Sequence, residues 1–95
     1  MPYKLTLTPD AEKQLEEFER SGNKLLLRKI AVLQEELREH PRTGMGKPEM
    51  LKGNRAGQWS RRINKEHRLI YEIHDNIITV IVLSAKDIIN ERIRR

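Results

Sequence analysis

Between Arg42 and Lys65 the chain carries a single acid, Glu49. Around it, residues 42 to 68 hold Arg42, Lys47, Lys52, Arg55, Arg61, Arg62, Lys65 and Arg68, against only Glu49 and Glu66. Nearby positive charge favours the ionised form of a carboxylate, which leaves Glu49 available to take a proton. A bland role is open to it as well, and residue type alone favours it: an exposed loop glutamate paired with Lys47 or Lys52. The arginines suit anionic oxygens, because a guanidinium presents a planar fork of donors to a phosphate or carboxylate. The net charge of +5 is concentrated here, since residues 9 to 40 carry eight acids and six bases. Such a patch favours an anionic partner, nucleic acid being the commonest.

Composition removes several other chemistries. The 95 residues hold no cysteine, which excludes a disulfide scaffold, a thiolate metal site and a cysteine nucleophile. His40, His67 and His74 have no metal-ligand spacing, so no metal and no cofactor is expected. The apolar run from Ile77 to Leu83 is too short to span a bilayer, and the first residues do not follow a signal-peptide layout. A cytoplasmic protein with no membrane partner is the expectation.

The elements that must position these groups follow from periodicity. Tyr3 to Thr8 alternates and predicts a strand. Thr8-Pro9-Asp10 is a helix start, with Ala11, Leu15 and Phe18 as its apolar stripe, and Ser21-Gly22-Asn23 ends it. A second helix from Lys24 carries Leu26, Ile30, Leu33 and Leu37 on one face and ends before Pro41. Residues 42 to 57, with four glycines and Pro48, read as a long loop of the kind that carries function. Strands are expected at about 58–63, 67–73 and 77–83, with turns at residues 64–66 and 75–76. The order β-α-α-β-β-β predicts one α+β domain over residues 1–95. In it a two-helix hairpin packs on one face of a small antiparallel-rich sheet, and the other face is left for binding. Ser84-x-x-Asp87 resembles a capping box, so residues 84–95 are expected to form a C-terminal helix.

Alternation along the strands assigns faces. Trp59, Arg61 and Ile63 share one face, read as the core side, with Arg61 snorkelling or near an edge. Arg62 falls on the other face. Arg68 and Ile70 point away from His67, Leu69 and Tyr71. Arg68 is therefore expected on the open face, or in a cross-strand salt bridge with Glu72 or Glu66.

Three motifs in order carry a resemblance: Gly46-Lys47-Pro48-Glu49-x-Leu51-Lys52, then Gly57-x-Trp59-Ser60-Arg61-Arg62-Ile63, then Glu66-His67-Arg68-Leu69-x-Tyr71. The run resembles the Txe/YoeB family of the RelE/ParE toxin superfamily, and the element order over residues 1 to 83 agrees. The resemblance implies the toxin of a type II toxin–antitoxin system, an mRNA interferase that cuts mRNA on the ribosome and is held by a cognate antitoxin. It further implies metal-independent cleavage by 2′-hydroxyl attack, with homodimers among the family. It places Glu49 as general base and Arg68 as phosphate stabiliser, with Lys47, Lys52, Arg61, Arg62 and His67 on the RNA. Family members end in a His-Tyr pair that supplies the general acid. Lys86 and Asp87 stand at those positions here. Lys86 is the candidate replacement, although lysine is usually a poor proton donor near neutral pH. The missing pair also leaves open a non-catalytic inhibitor on the same fold, acting on DNA gyrase or simply binding RNA or the ribosome.

Overall fold

The computed structural model describes residues 2–88. Strand β1 (Lys4–Leu7) leads into α1 (Pro9–Ser21) and α2 (Lys24–Glu39). Then come β2 (Glu49–Met50), a 3-10 turn at Gly53–Arg55, β3 (Trp59–Arg62), β4 (His67–His74), a second 3-10 turn at Asp75–Ile77, and β5 (Thr79–Ile88). The sheet order is β1-β5-β4-β3-β2; β1 lies parallel to β5 and all other pairs are antiparallel. Two helices on a mixed five-stranded sheet make the expected α+β fold.

Local chemistry sets the helix ends. The Thr8 hydroxyl accepts from the Ala11 N–H at 3.1 Å and donates to the Leu83 carbonyl at 2.8 Å, so one side chain caps α1 and ties it to β5. Gly22 closes α1 in the left-handed region (φ 74°), which favours glycine, and the Asn23 side chain caps α2 through the Leu26 N–H. The buried stripe Ala11 and Phe18 of α1, with Ile30, Leu33 and Leu37 of α2, meets Ile63, Leu69, Tyr71, Val80, Val82 and Ala85 of the sheet. Trp59 is half-buried against this core, as its alternation indicates.

Two sequence expectations change. β2 is a two-residue strand inside what the glycines suggested was continuous loop. The last strand also begins later and runs further than 77–83. Ile77 and Ile78 are exposed in the turn, and the strand continues to Ile88. Residues 84–88 are therefore strand, not the start of a helix; the remainder of the expected C-terminal helix, 89–95, lies outside the described residues. The reason is tertiary. β4 offers partners out to His67↔Ile88, and the Gln14 side chain accepts the N–H groups of Ala85 (2.6 Å) and Lys86 (3.2 Å) at a bulge. Among the described residues no helix is long and apolar enough to cross a membrane.

Candidate active site

Cross-strand register assembles the site on the face away from the helices. Glu49, Ser60, Ile70 and Ser84 form one row across β2, β3, β4 and β5. Arg62, Arg68 and Asp87 form the next. With strands about 4.8 Å apart and alternate residues about 6.7 Å apart, the Cα of Glu49 lies roughly 8 Å from that of Arg62 and roughly 12 Å from that of Arg68. Those gaps are what a long carboxylate and two guanidiniums span when they converge on one phosphodiester.

The loop is built to deliver Glu49. The Arg62 N–H donates to the Gly46 carbonyl at 2.6 Å, and a Cβ on Gly46 (φ 84°) would fall 2.8 Å from the Arg62 carbonyl oxygen. Only glycine fits this approach. Lys47 and Lys52 flank Glu49, and all three are exposed. The face is not open throughout, as the sequence suggested. Ile70 and Ser60 are 1 % and 4 % exposed, and the Gly53–Arg55 turn sends Arg55 across to β5.

Asp87 is the unexpected member. Arg68 Nε donates to its Oδ2 at 2.6 Å, while Arg55 donates to Oδ1 through Nη2 at 3.1 Å and to Oδ2 through Nη1 at 3.4 Å. The cross-strand salt bridge expected of Arg68 exists, but with Asp87, because Glu72 pairs with His74 (3.0 Å) and Glu66 lies beside His67. Burial pushes the Asp87 carboxyl up, but the hydrogen bonds from Arg55 and Arg68 outweigh it and hold the group below the usual carboxylate range. It is a fixed negative charge at neutral pH, not a proton donor.

Three expected site residues are elsewhere. Lys86 turns to the helix side, where its Nζ bonds Glu17 at 2.8 Å and sits 5.0 Å from the centre of the Phe18 ring. That hydrogen bond holds the Glu17 carboxyl down. Lys86 therefore does not replace the missing acid in this arrangement. His67 also faces α1, edge-on to Phe18 at 5.6 Å, with Nδ1 buried and lacking a hydrogen-bond partner; Glu66 is 3.7 Å away, too far for one. Arg61 is fully buried. It neither snorkels nor reaches a ligand. It donates to Glu36 (2.8 Å), to the carbonyls of Thr43 (2.7 Å), Met45 (3.3 Å) and His40, and to the Tyr71 hydroxyl (3.2 Å). All five guanidinium N–H groups are thereby used. Arg61 holds the 40–46 segment that leads to Glu49.

Arg55 and Asp87 are the residues the sequence did not single out for the site. Arg55 lies between motifs, and Asp87 has the local pattern of a helix cap. Extending the last strand to 88 would bring this segment alongside Arg68, but Asp87 comes opposite it only through two register shifts that the sequence does not signal. Among the described residues no three His, Asp or Glu side chains are grouped to hold a metal ion.

Comparison with known proteins agrees with this fold. The family model described as the YoeB-like toxin of bacterial type II toxin–antitoxin systems matches residues 7–87. A Toxin YoeB from Synechocystis sp. is 48% identical over 60 residues, covering 63% of this chain and 70% of that protein. The structure of a YoeB dimer from Staphylococcus aureus aligns with TM-score 0.78 and 34% identity, covering 92% of this chain and 98% of that one. A heterotetrameric YoeB–YefM toxin–antitoxin complex from the same organism contains a chain aligning with TM-score 0.76 and 35% identity, over 92% and 98% of the two chains. The chain matches this family through every element that builds the Glu49 and Arg68 rows, and it belongs to the YoeB-like toxins of bacterial type II toxin–antitoxin systems.

Proposed function

We propose that this toxin is a ribosome-dependent mRNA endonuclease that stops translation by cleaving RNA through its own 2′-hydroxyl. The observation that carries the proposal is the placing of Glu49 one row from Arg62 and Arg68 on a single sheet face. The Glu49 carboxylate takes the 2′-hydroxyl proton, and the 2′-oxygen bonds to phosphorus. The P–O5′ bond breaks, leaving a 2′,3′-cyclic phosphate and a 5′-hydroxyl. Arg68 and Arg62, with Lys52 and Lys47 from the loop, offset the charge that builds on the phosphorane oxygens. The departing 5′-oxygen takes its proton from water, since Lys86 faces α1 and Asp87 is ionised. A missing general acid typically costs about 10²–10⁴-fold in rate, so cleavage should be slow for such a site.

The partners in this proposal are the ribosome with its mRNA, a cognate antitoxin like the one in the Staphylococcus aureus complex, and a second copy of the chain as in the dimer from that organism. The antitoxin would cover the basic face and Arg68. The setting is the cytoplasm, where ribosomes and mRNA meet. A binding-only inhibitor is the second reading, favoured by one observation: Arg68 is already engaged by Asp87.

The test is a reconstituted translation reaction with mRNA ends mapped by primer extension, against controls lacking ribosomes. Ribosome-dependent cuts that vanish with Glu49→Gln are expected. Cuts that persist undiminished in that variant would remove Glu49 from the mechanism. No cuts from the folded wild type would favour the binding-only inhibitor.

A further inference from the structure

Arg68 and Arg55 approach one carboxylate from different elements, β4 and the turn between β2 and β3. Between them they place three N–H donors on its two oxygens, at 2.6, 3.1 and 3.4 Å. Two guanidiniums on one small anion is the arrangement that recognises a phosphate, whose oxygens present the same fork with more charge. The carboxylate is a side chain of the same molecule, and it is not sealed in. Asp87 and Arg68 are about one-fifth exposed and Arg55 two-fifths. Two guanidiniums on one carboxylate leave the cluster a positive excess. Neither Arg55 nor Asp87 belongs to the motifs Gly46–Lys52, Gly57–Ile63 or Glu66–Tyr71.

We infer that Arg55 is a second arm of the phosphate clamp beside Arg68, and that Asp87 is the clamp's resting ligand, displaced when an RNA phosphate binds. This rests on the proposed RNA-cleaving function for the identity of the anion. Asp87 then acts as an internal competitor. It keeps both guanidiniums pointed at the position a phosphodiester takes, and it swings into solvent when the phosphate arrives. Held ionised at neutral pH, it competes at full charge. The base Glu49 and the arm Arg55 lie six residues apart in one hairpin, so binding at the clamp registers the backbone against the base.

The test is binding, kept separate from cleavage. A 2′-O-methyl RNA decamer, which has no 2′-hydroxyl to attack, is titrated by fluorescence anisotropy at constant salt. Asp87→Asn is expected to bind on the order of tenfold tighter, the size of one competing charge-assisted bond discounted for exposure. Adding Arg55→Gln to Asp87→Asn should return most of that gain. Unchanged or weaker binding by Asp87→Asn overturns the competitor role, and an Arg55→Gln change with no effect in that background overturns the second arm. Should Asp87→Asn fail to fold, the wild type decides: the Arg68 Nε–H resonance is followed by ¹⁵N NMR as inorganic phosphate is added. Saturable movement supports displacement of Asp87, and none at high phosphate overturns it. Because the RNA probe is uncleavable, absence of cuts in the translation assay leaves this result standing, and the reverse also holds.

Discussion

Arg61→Ala should cripple the fold rather than the chemistry, although Arg61 lies inside a motif that invites a role on RNA. The guanidinium is fully buried and makes five hydrogen bonds: one to the Glu36 carboxylate, three to carbonyls of residues 40, 43 and 45, and one to Tyr71. Removing one partner of a buried ion pair costs about 3–5 kcal/mol; Glu36 is partly exposed and keeps the Met45 N–H, so the lower end applies to that pair. Here the three carbonyls lose their donor as well. They belong to the backbone, so no compensating apolar substitution can remove them. Buried ion pairs are often replaceable by well-packed hydrophobic residues, but this one is not, because most of its acceptors cannot be mutated. Against a total stability of about 5–15 kcal/mol, the loss is a large fraction. At about 4–8 °C per kcal/mol for a domain of this size, it lowers Tm by at least about 12 °C. Thermal and urea unfolding followed by circular dichroism measure it. Arg61→Lys keeps the charge for Glu36 but not the fork, and should fall between wild type and Arg61→Ala. A loss below about 1 kcal/mol for Arg61→Ala, the range of an exposed pair, would refute the buried-hub assignment.

Other outcomes follow from the same contacts. Lys86→Ala should leave the ribosome-dependent cleavage rate unchanged, because the ammonium bonds Glu17 across the core side of the sheet; a large fall in rate under single-turnover conditions would return Lys86 to the site. The stability that Asp87 adds through Arg55 and Arg68 should depend on pH in the sense of a depressed carboxylate. It is fully present above the unfolded aspartate value near pH 4 and is lost as pH falls through the lower folded value. Urea midpoints of wild type and Asp87→Asn should therefore differ at pH 7 and converge in strongly acidic buffer, and a gap that persists there would exclude the ion pairs as its source.

Much of the fold is legible because local and tertiary preferences agree. Thr8-Pro9, Gly22-Asn23 and Pro41 bound the helices in the sequence and in the structure alike. Period-two alternation places Trp59 on the core side, Arg62 and Arg68 on the other, and His67 away from Arg68. Alternation gives a direction, however, not a depth. It puts Arg61 on the core side, but an arginine there suggests a snorkelling side chain. That it is fully buried depends on four acceptors supplied by α2 and the segment after it, which no strand pattern records.

The C-terminal strand was illegible for a more specific reason. Ser84-Ala-Lys-Asp87 reads locally as a helix start, and nothing nearby in sequence contradicts it. What decides the segment is Gln14, seventy residues earlier, whose side-chain oxygen takes the N–H groups a bulge leaves without a strand partner. The bulges also choose the chemistry. Continuing the register Tyr71↔Val82 without interruption would set Ala85 opposite Arg68. Two one-residue shifts, first at Ile70↔Ser84 and then before Arg68↔Asp87, bring Asp87 there and turn Ala85 to the helices, the side on which Lys86 would lie, opposite His67, even without them. An ungapped count along the sequence cannot see such shifts, and a one-residue slip sends a side chain to the other face. The same two insertions put a competing carboxylate opposite Arg68 where Ala85 would otherwise stand. The departures of this chain from the catalytic pattern are thus set by β-sheet register as much as by residue identity.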